Sequence, residues 1–314
     1  MARDHGGNLE AARALYGAGD WIDLSTGINR APYPVPPLPL EAWTALPTAA
    51  ALHGLIDAAS ATYGADPAWI LPLAGAQAAI QLYPRLGTGR ARVLAPTYNE
   101  HAGSLSAQGW AVEAVDTLDA LAGADLAVVV NPNNPDGKTY APKALRALAG
   151  RVGLLIVDES FADPVPELSL AGEKVPGVIV LRSFGKFYGL AGVRLGFAIA
   201  APDLIARMQA MAGPWSVAGP ALHIGALALR DTRWAEATRA RLADDAARLD
   251  ALAPWPLVGG CALFRTYATP DAQAAQARLA RAKIWSRVFP YSPSWIRLGL
   301  PHGAEWDRVA AALA

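Results

Sequence analysis

Val178-Ile179-Val180-Leu181, followed at once by Arg182-Ser183-Phe184-Gly185-Lys186, is the stretch from which the fold can be read. Four apolar residues without a polar break fit a strand buried on both faces, as in parallel sheets covered by helices. A lysine just past such a strand is unusual, because burial strips its ammonium of hydration. In isolation it reads as a surface loop residue. A second strand end changes that reading: Leu154-Leu155-Ile156-Val157 closes on Asp158. A carboxylate there points into the crevice where open α/β sheets bind ligands.

Working outward, short apolar runs at 91–95, 110–115, 126–130, 153–157 and 196–200 also read as strands. Helical patterns at 52–63, from near Ala78, and over 202–214 separate them. Residues 31–39 are proline-rich and read as an extended arm. A long helical pattern over 221–252 leads into a second block. That block has strand-like 262–266, a helix over 271–282, strand-like 284–289 and 295–298, and a last helix from Ala304. The expected architecture is α/β: a mostly parallel sheet flanked by helices, with a smaller α+β domain. Residues 1–40 are expected to form an arm that joins the small domain and the substrate site. Residues 41–214 would be the large cofactor domain, and 215–314 the linking helix and small C-terminal domain.

Composition narrows the partners. The 314 residues are 53% hydrophobic, enough for a large core. Lys plus Arg and Asp plus Glu are equal at 27 each, so there is no electrostatic footprint for nucleic acid or an anionic membrane. Any anion must be held by a local site. The single cysteine, Cys261, makes no internal disulfide, and the five histidines show no zinc-ligand spacing, so no metal is expected. Asp4 and Glu10 stand where a signal peptide would need an apolar run, and no apolar stretch reaches 18 residues. The cytoplasm is the expectation by elimination.

Two loops complete the set of candidate residues. Gly75-Ala76-Gln77 lies between Leu71-Pro72-Leu73 and a helical segment, and a glycine turn there offers free N–H groups to a phosphate. It is not a P-loop, and Gly-x-Gly-x-x-Gly is also absent. Asn131-Pro132-Asn133-Asn134-Pro135-Asp136-Gly137 follows the 126–130 strand and by itself is turn chemistry.

In order, the glycine loop, Pro96-Thr97-Tyr98, the Asn-Pro loop, Asp158, Ser183-x-x-Lys186 and Arg194 resemble the fold-type I enzymes that use pyridoxal 5′-phosphate (PLP). The pattern is similar to the histidinol-phosphate aminotransferase-like family over nearly the whole chain. That resemblance implies PLP as cofactor, with Lys186 as its covalent attachment point and later proton shuttle. It implies Asp158 against the pyridine nitrogen, Asn134 on the ring 3′-oxygen and Tyr98 stacked on the ring. Ser183 and Arg194, with the amides of Ala76 and Gln77 in the Gly75 turn, would hold the cofactor phosphate. Arg297 in Trp295-Ile296-Arg297-Leu298-Gly299 would clamp the substrate carboxylate. A homodimer is implied in the same way.

Two departures stand out. Phe161 occupies the place of a family tyrosine three residues after the aspartate, and Leu46-Pro47 replaces a Tyr-Pro pair whose phenol reaches the neighbouring subunit. The cofactor's electronics and the subunit contact should differ accordingly.

The N-terminus bears on the reaction. His5-Gly6-Gly7-Asn8, followed by Trp21-Ile22-Asp23-Leu24-Ser25-Thr26-Gly27-Ile28-Asn29, resembles the threonine-phosphate decarboxylase branch, which serves cobalamin synthesis. The resemblance implies a phosphorylated amino acid as substrate, with His5, Gly6, Gly7 and Asn29 on its phosphate. A mobile terminus is the plain alternative for that segment. A histidinol-phosphate-type aminotransferase and a catalytically silent PLP-fold binding protein remain open as functions. Which Cα bond stands perpendicular to the cofactor ring separates the two reactions, and residues alone do not give that angle. Trp215 and Ser216 are candidates for the pocket wall, and an ordinary helix break fits them equally well.

Overall fold

A computed structural model of the chain describes residues 5–314; Asp4 and the other three positions at the start of the expected arm lie outside the described residues. The chain forms two compact units. One comprises Tyr33–Asn134 and Thr139–Ala235; the other comprises the described residues up to Pro32, Pro135–Lys138 and Glu236–Ala314.

The larger unit is built on seven strands: β1 (Ile70–Leu73), β2 (Arg90–Leu94), β3 (Ala111–Val115), β4 (Leu126–Val130), β5 (Leu154–Asp158), β6 (Val178–Ser183) and β7 (Gly196–Ala200). Their order across the sheet is β1-β7-β6-β5-β4-β2-β3. Every pair from β6 to β3 is parallel, and β7 runs antiparallel to both of its neighbours. Sequence and burial agree along the sheet. All five residues of β4 and of β7 are buried, as unbroken apolar runs require, whereas edge strand β3 has no buried residue. β1 was not expected as a strand, because it is short and contains Pro72. An edge position makes the missing N–H tolerable.

Helices cover the sheet. Ala79, Ile80 and Leu82 of the helix Ala76–Leu82 pack with Leu204, Ile205 and Met208 of the helix Pro202–Ala212 and with Leu73, Val93, Val128, Ile156 and Leu181. Each large aliphatic side chain so buried contributes about 1.5–3 kcal/mol. The helix expected over 221–252 is two helices, Gly219–Arg230 and Thr232–Leu252. Asp231 breaks them, its side chain accepting from the Trp234 N–H at 2.9 Å, as an N-cap does.

The smaller unit holds β8 (Leu257–Cys261), β9 (Phe264–Ala268), β10 (Arg287–Phe289) and β11 (Ser292–Gly299), antiparallel in the order β10-β11-β9-β8. Ile22–Asp23 pairs in parallel with Ile284–Trp285 beside it. The strand expected at 262–266 lies two residues later, and a separate strand precedes it. Gly259 and Gly260 lie inside β8, and a Cβ on Gly259 would overlap the Asp136 carbonyl.

In the large sheet β7 is antiparallel, so its first residue, Gly196, lies beside the last residues of β6 and β1, Ser183 and Leu73. Asp158 pairs with Leu181 and Val130 at the same end. One end of the sheet therefore collects the exits of β1, β2, β4, β5 and β6 and the approach to β7.

Candidate active site

Asp158, 2% exposed, ends β5 among fixed partners. Its Oδ2 accepts from His101 Nε2 at 2.9 Å, and its Oδ1 accepts from the Ser160 N–H at 2.9 Å. His101 is fully buried, and its Nδ1 lies 3.0 Å from the hydroxyl of buried Tyr83. A carboxylate only accepts, which assigns the Nε2 proton to the Asp158 side. With that proton on Nε2, the other ring nitrogen, Nδ1, is placed to accept from the Tyr83 hydroxyl. Burial alone would raise the Asp158 pKa. The hydrogen bond from His101 and the Ser160 contacts outweigh it and hold the carboxyl below its usual range. Burial and the Asp158 charge push the Tyr83 phenol well above its ordinary value, so it remains a neutral donor.

Glu159, the next residue, makes a separate set of contacts, as alternation at a strand end allows. It takes the Arg182 guanidinium at 2.9 Å and the Leu170 N–H at 2.7 Å, while Arg182 also reaches Asp163 at 2.6 Å. Burial raises the Glu159 pKa, and the two carboxylates keep Arg182 protonated. Asp158 is thus held among polar partners of its own, and the buried ion cluster at Glu159 ties β5 to β6. Lys186, in the short helix Phe184–Phe187, has its Nζ 5.3 Å from the centre of the Phe161 ring. The phenylalanine offers no hydroxyl, but its face supports the ammonium.

At the β1–β7–β6 side the backbone packs closely around the Arg194 guanidinium. Gly75, with φ of 84°, precedes the helix Ala76–Leu82, and a Cβ there would lie 2.8 Å from Arg194 Nη2. Gly196 likewise has no space for a side chain between the Gly75 carbonyl carbon and the Arg182 carbonyl. Arg194 itself adopts a left-handed φ of 54°, rare for a residue with a side chain and typical of functional sites. A guanidinium, helix-start amides and the Ser183 strand end form a donor set suited to a phosphate.

The remaining cofactor candidates are tied to this end of the sheet. Tyr98 donates to Gln77 Oε1 at 3.3 Å, and Gln77 Nε2 donates to buried Glu100 at 2.9 Å. Asn133 links the two loops, accepting from Thr97 Oγ1 at 2.6 Å and donating to the Pro96 carbonyl at 2.9 Å, so Asn134 and Tyr98 sit on mutually anchored turns. Gly75, Ala76, Gln77, Tyr98, Asn134, Asp158, Ser183, Lys186 and Arg194 all belong to the larger unit. Trp215 and Ser216 also lie there, in a groove of about 290 Å³ with Pro47, Thr48 and Leu52.

The other expected residues belong to the smaller unit. Arg297, 6% exposed, stands in β11 opposite Arg287 of β10, and its Nη2 donates to the Ser25 carbonyl at 2.7 Å. Burial, and then the Arg287 charge, lower its pKa to about 10. Buried Asn29 accepts at Oδ1 from the Ala31 N–H at 3.0 Å and from Arg241 Nη2 at 2.7 Å, which orients its amide. His5, Gly6 and Gly7 are exposed. The Gly7 N–H, expected as a phosphate donor, is given to Ser25 Oγ at 2.7 Å.

Sequence reading missed His101, Tyr83, Ser25, Arg241 and Arg287. His101 had a signal, since it follows Tyr98 by three residues at a helix start. Arg287 had one too, as a second arginine in a strand antiparallel to that of Arg297. Tyr83, Ser25 and Arg241 act through distant partners and left no local pattern.

Residues 46–313 match the family model for aminotransferase class I and II. The chain is 44% identical over 326 residues to a threonine-phosphate decarboxylase from Sinorhizobium sp, covering 99% of this chain and 97% of that one. A threonine-phosphate decarboxylase from Pseudomonas aeruginosa is 44% identical over 325 residues, with the same coverage. A solved histidinol-phosphate aminotransferase from Sinorhizobium meliloti, in complex with pyridoxal-5′-phosphate, shares the fold with a TM-score of 0.81 at 22% identity, over 97% of this chain and 92% of that one. The chain belongs to the aminotransferase class I and II family, in the group that contains the threonine-phosphate decarboxylases.

Proposed function

We propose that this protein is a PLP-dependent decarboxylase that converts L-threonine O-3-phosphate to (R)-1-amino-2-propanol phosphate and carbon dioxide, in the service of cobalamin synthesis. The observation that carries the reading is the 44% identity to threonine-phosphate decarboxylases from end to end. The site residues fit the cofactor: an anion cradle at Gly75 and Arg194, and a buried ionised carboxylate at Asp158.

Bound PLP supplies an electron sink for the carbon that loses its carboxylate. The chain's own groups do the rest. Lys186 would attach the cofactor, and its amine would deliver the proton that replaces the departing carboxylate at Cα. Asp158, kept ionised by His101 and Ser160, would hold a proton on the pyridine nitrogen. Tyr98 would pack on the ring, Asn134 would donate to its 3′-oxygen, and Ser183, Arg194 and the amides of Ala76 and Gln77 would take the phosphate. Arg297 holds the substrate carboxylate, and the Asn29 amide, His5 and the Gly6-Gly7 segment meet the substrate phosphate. The larger unit acts as the cofactor domain, its bounds at Tyr33 and Ala235 lying outside the expected 41–214, and the smaller unit serves recognition.

We place the enzyme in the cytoplasm as a homodimer. No helix among the described residues is long and apolar enough to cross a membrane. The exposed Trp43, Leu46 and Trp215 of the larger unit offer apolar area for a second copy.

Incubation of the PLP-loaded protein with O-phospho-L-threonine should release carbon dioxide, with unphosphorylated threonine far poorer. Glutamate formation from histidinol phosphate and 2-oxoglutarate, without carbon dioxide from phosphothreonine, would overturn the reading in favour of an aminotransferase.

A further inference from the structure

We propose that the Ser25 hydroxyl is a positioning group that sets the preference for a phosphorylated substrate, by fixing the N-terminal glycine segment beside Arg297. The inference rests on the decarboxylase reading for the identity of the substrate. Its geometry stands apart from that reading.

Ser25 is completely buried and works with three of its atoms. Its Oγ donates to Asp23 Oδ1 at 2.6 Å, and its N–H donates to the same oxygen at 2.9 Å. With the hydroxyl proton committed to Asp23, the Oγ lone pairs face the other way and accept the Gly7 N–H at 2.7 Å. The Ser25 carbonyl accepts from Arg297 Nη2 at 2.7 Å. Gly6 approaches that same carbonyl so closely that a Cβ on Gly6 would overlap it. One residue thus touches both the segment expected to meet the phosphate and the arginine expected to meet the carboxylate.

The arrangement explains two features of the sequence. Gly6 has to lack a side chain because it closes on the Ser25 carbonyl. Gly7 has to lack one because its φ is 86°. A Gly-Gly segment left untethered would spend binding energy on becoming ordered. The Asp23–Ser25–Gly7 chain meets that cost in folding, before the ligand arrives.

Ser25→Ala removes the hydroxyl and leaves the carbonyl that orients Arg297. In the PLP-loaded enzyme, KM for O-phospho-L-threonine should then rise about tenfold while kcat changes little. Threonine, which lacks the phosphate, should lose almost nothing. Titration with inorganic phosphate, followed by tryptophan fluorescence, should show a matching loss of affinity. That binding experiment does not depend on which reaction the enzyme catalyses. Ser25→Cys, with a weaker acceptor of similar shape, should fall between wild type and Ser25→Ala, and it carries the test if the alanine variant does not fold. Equal losses for threonine and phosphothreonine, or an unchanged phosphate affinity, would overturn the proposal and leave Ser25 as ordinary packing.

Discussion

Asp158 in the larger unit and Arg297 in the smaller are both buried charges, and their surroundings treat them in opposite ways. Asp158 sits at the receiving end of donors that favour its charge, and its pKa falls. Arg297 shares its surroundings with a second arginine, and burial and repulsion disfavour its charge. A group whose charged form is stabilised by the fold is complete without a ligand. One whose charged form is penalised gains most from an anion. On the proposed function, Asp158 would face a protonated ring nitrogen and Arg297 a carboxylate or phosphate.

The largest effect should come from the group that neither charge can replace. Lys186→Ala should abolish turnover and leave the fold intact, and borohydride reduction of the wild type followed by peptide mapping should find the cofactor on Lys186. Labelling of another lysine would remove the comparison's centre. Asp158→Asn keeps the shape and loses the charge. Turnover should fall on the order of 10²–10³-fold, as when a preorganised electrostatic partner is removed, with cofactor binding much less affected. The pH dependence follows from the lowered pKa. The carboxylate's contribution to stability is fully present above its ordinary value of 3.8 and is lost as pH falls through the lower folded value. Melting temperature against pH should therefore show an acid limb that is weaker in Asp158→Asn.

Arg297→Ala tests the other side. It should raise KM for phosphothreonine by roughly 10–100-fold, the worth of a charged hydrogen-bonded pair of about 1.5–3 kcal/mol. For an analogue lacking the carboxylate the loss should be small. The sign of the pH effect is opposite to that of Asp158. A cation lowered to about 10 is penalised throughout the neutral range, and the penalty fades as pH rises past 10. The guanidinium keeps its proton across the neutral range, so ligand affinity should stay level from about pH 7 to 9. Equal losses for phosphothreonine and for the analogue lacking the carboxylate would mean that Arg297 does not meet the anion.

The two regions were not equally legible in the sequence. The exits of β4, β5 and β6 were readable because apolar runs end abruptly at Asn131, Asp158 and Arg182, and a parallel sheet puts such ends together. Asp158 and Lys186 follow from that rule and from the family resemblance. In the smaller unit β8 carries exposed Leu257 and Val258 followed by two glycines, a sequence without strand alternation, so it was not read as a strand. Ser25 acts through contacts 18 and 272 residues away in the chain, with Gly7 and Arg297, and no local pattern signals such pairings. The Asp231 cap was present in the sequence as an aspartate three residues before Trp234. It was masked by the continuous helical period on either side.

The smallest effect bears on how far the Asp158 arrangement extends, and Tyr83→Phe measures it. In the chain from Tyr83 to His101 to Asp158, each donor points toward the carboxylate. The phenol's part is to fill His101 Nδ1, so that the ring keeps its proton on Nε2, where Asp158 needs it. Phenylalanine keeps the packing and removes only the hydroxyl. The loss of one buried hydrogen bond should cost about 1 kcal/mol, or roughly 2–4 °C in melting temperature for a unit of this size. If that were all, turnover would not change. A second effect is expected because His101 would then be free to bind a proton at Nδ1 or to shift tautomer. Nitrogen NMR of His101 should show altered protonation in the variant. The absorbance of the bound cofactor should shift with it, and kcat should fall severalfold without a change in KM. A variant that melts lower but keeps the wild-type spectrum and kcat would end the chain at His101. In that case the ionised state of Asp158 would rest on His101 and Ser160 alone.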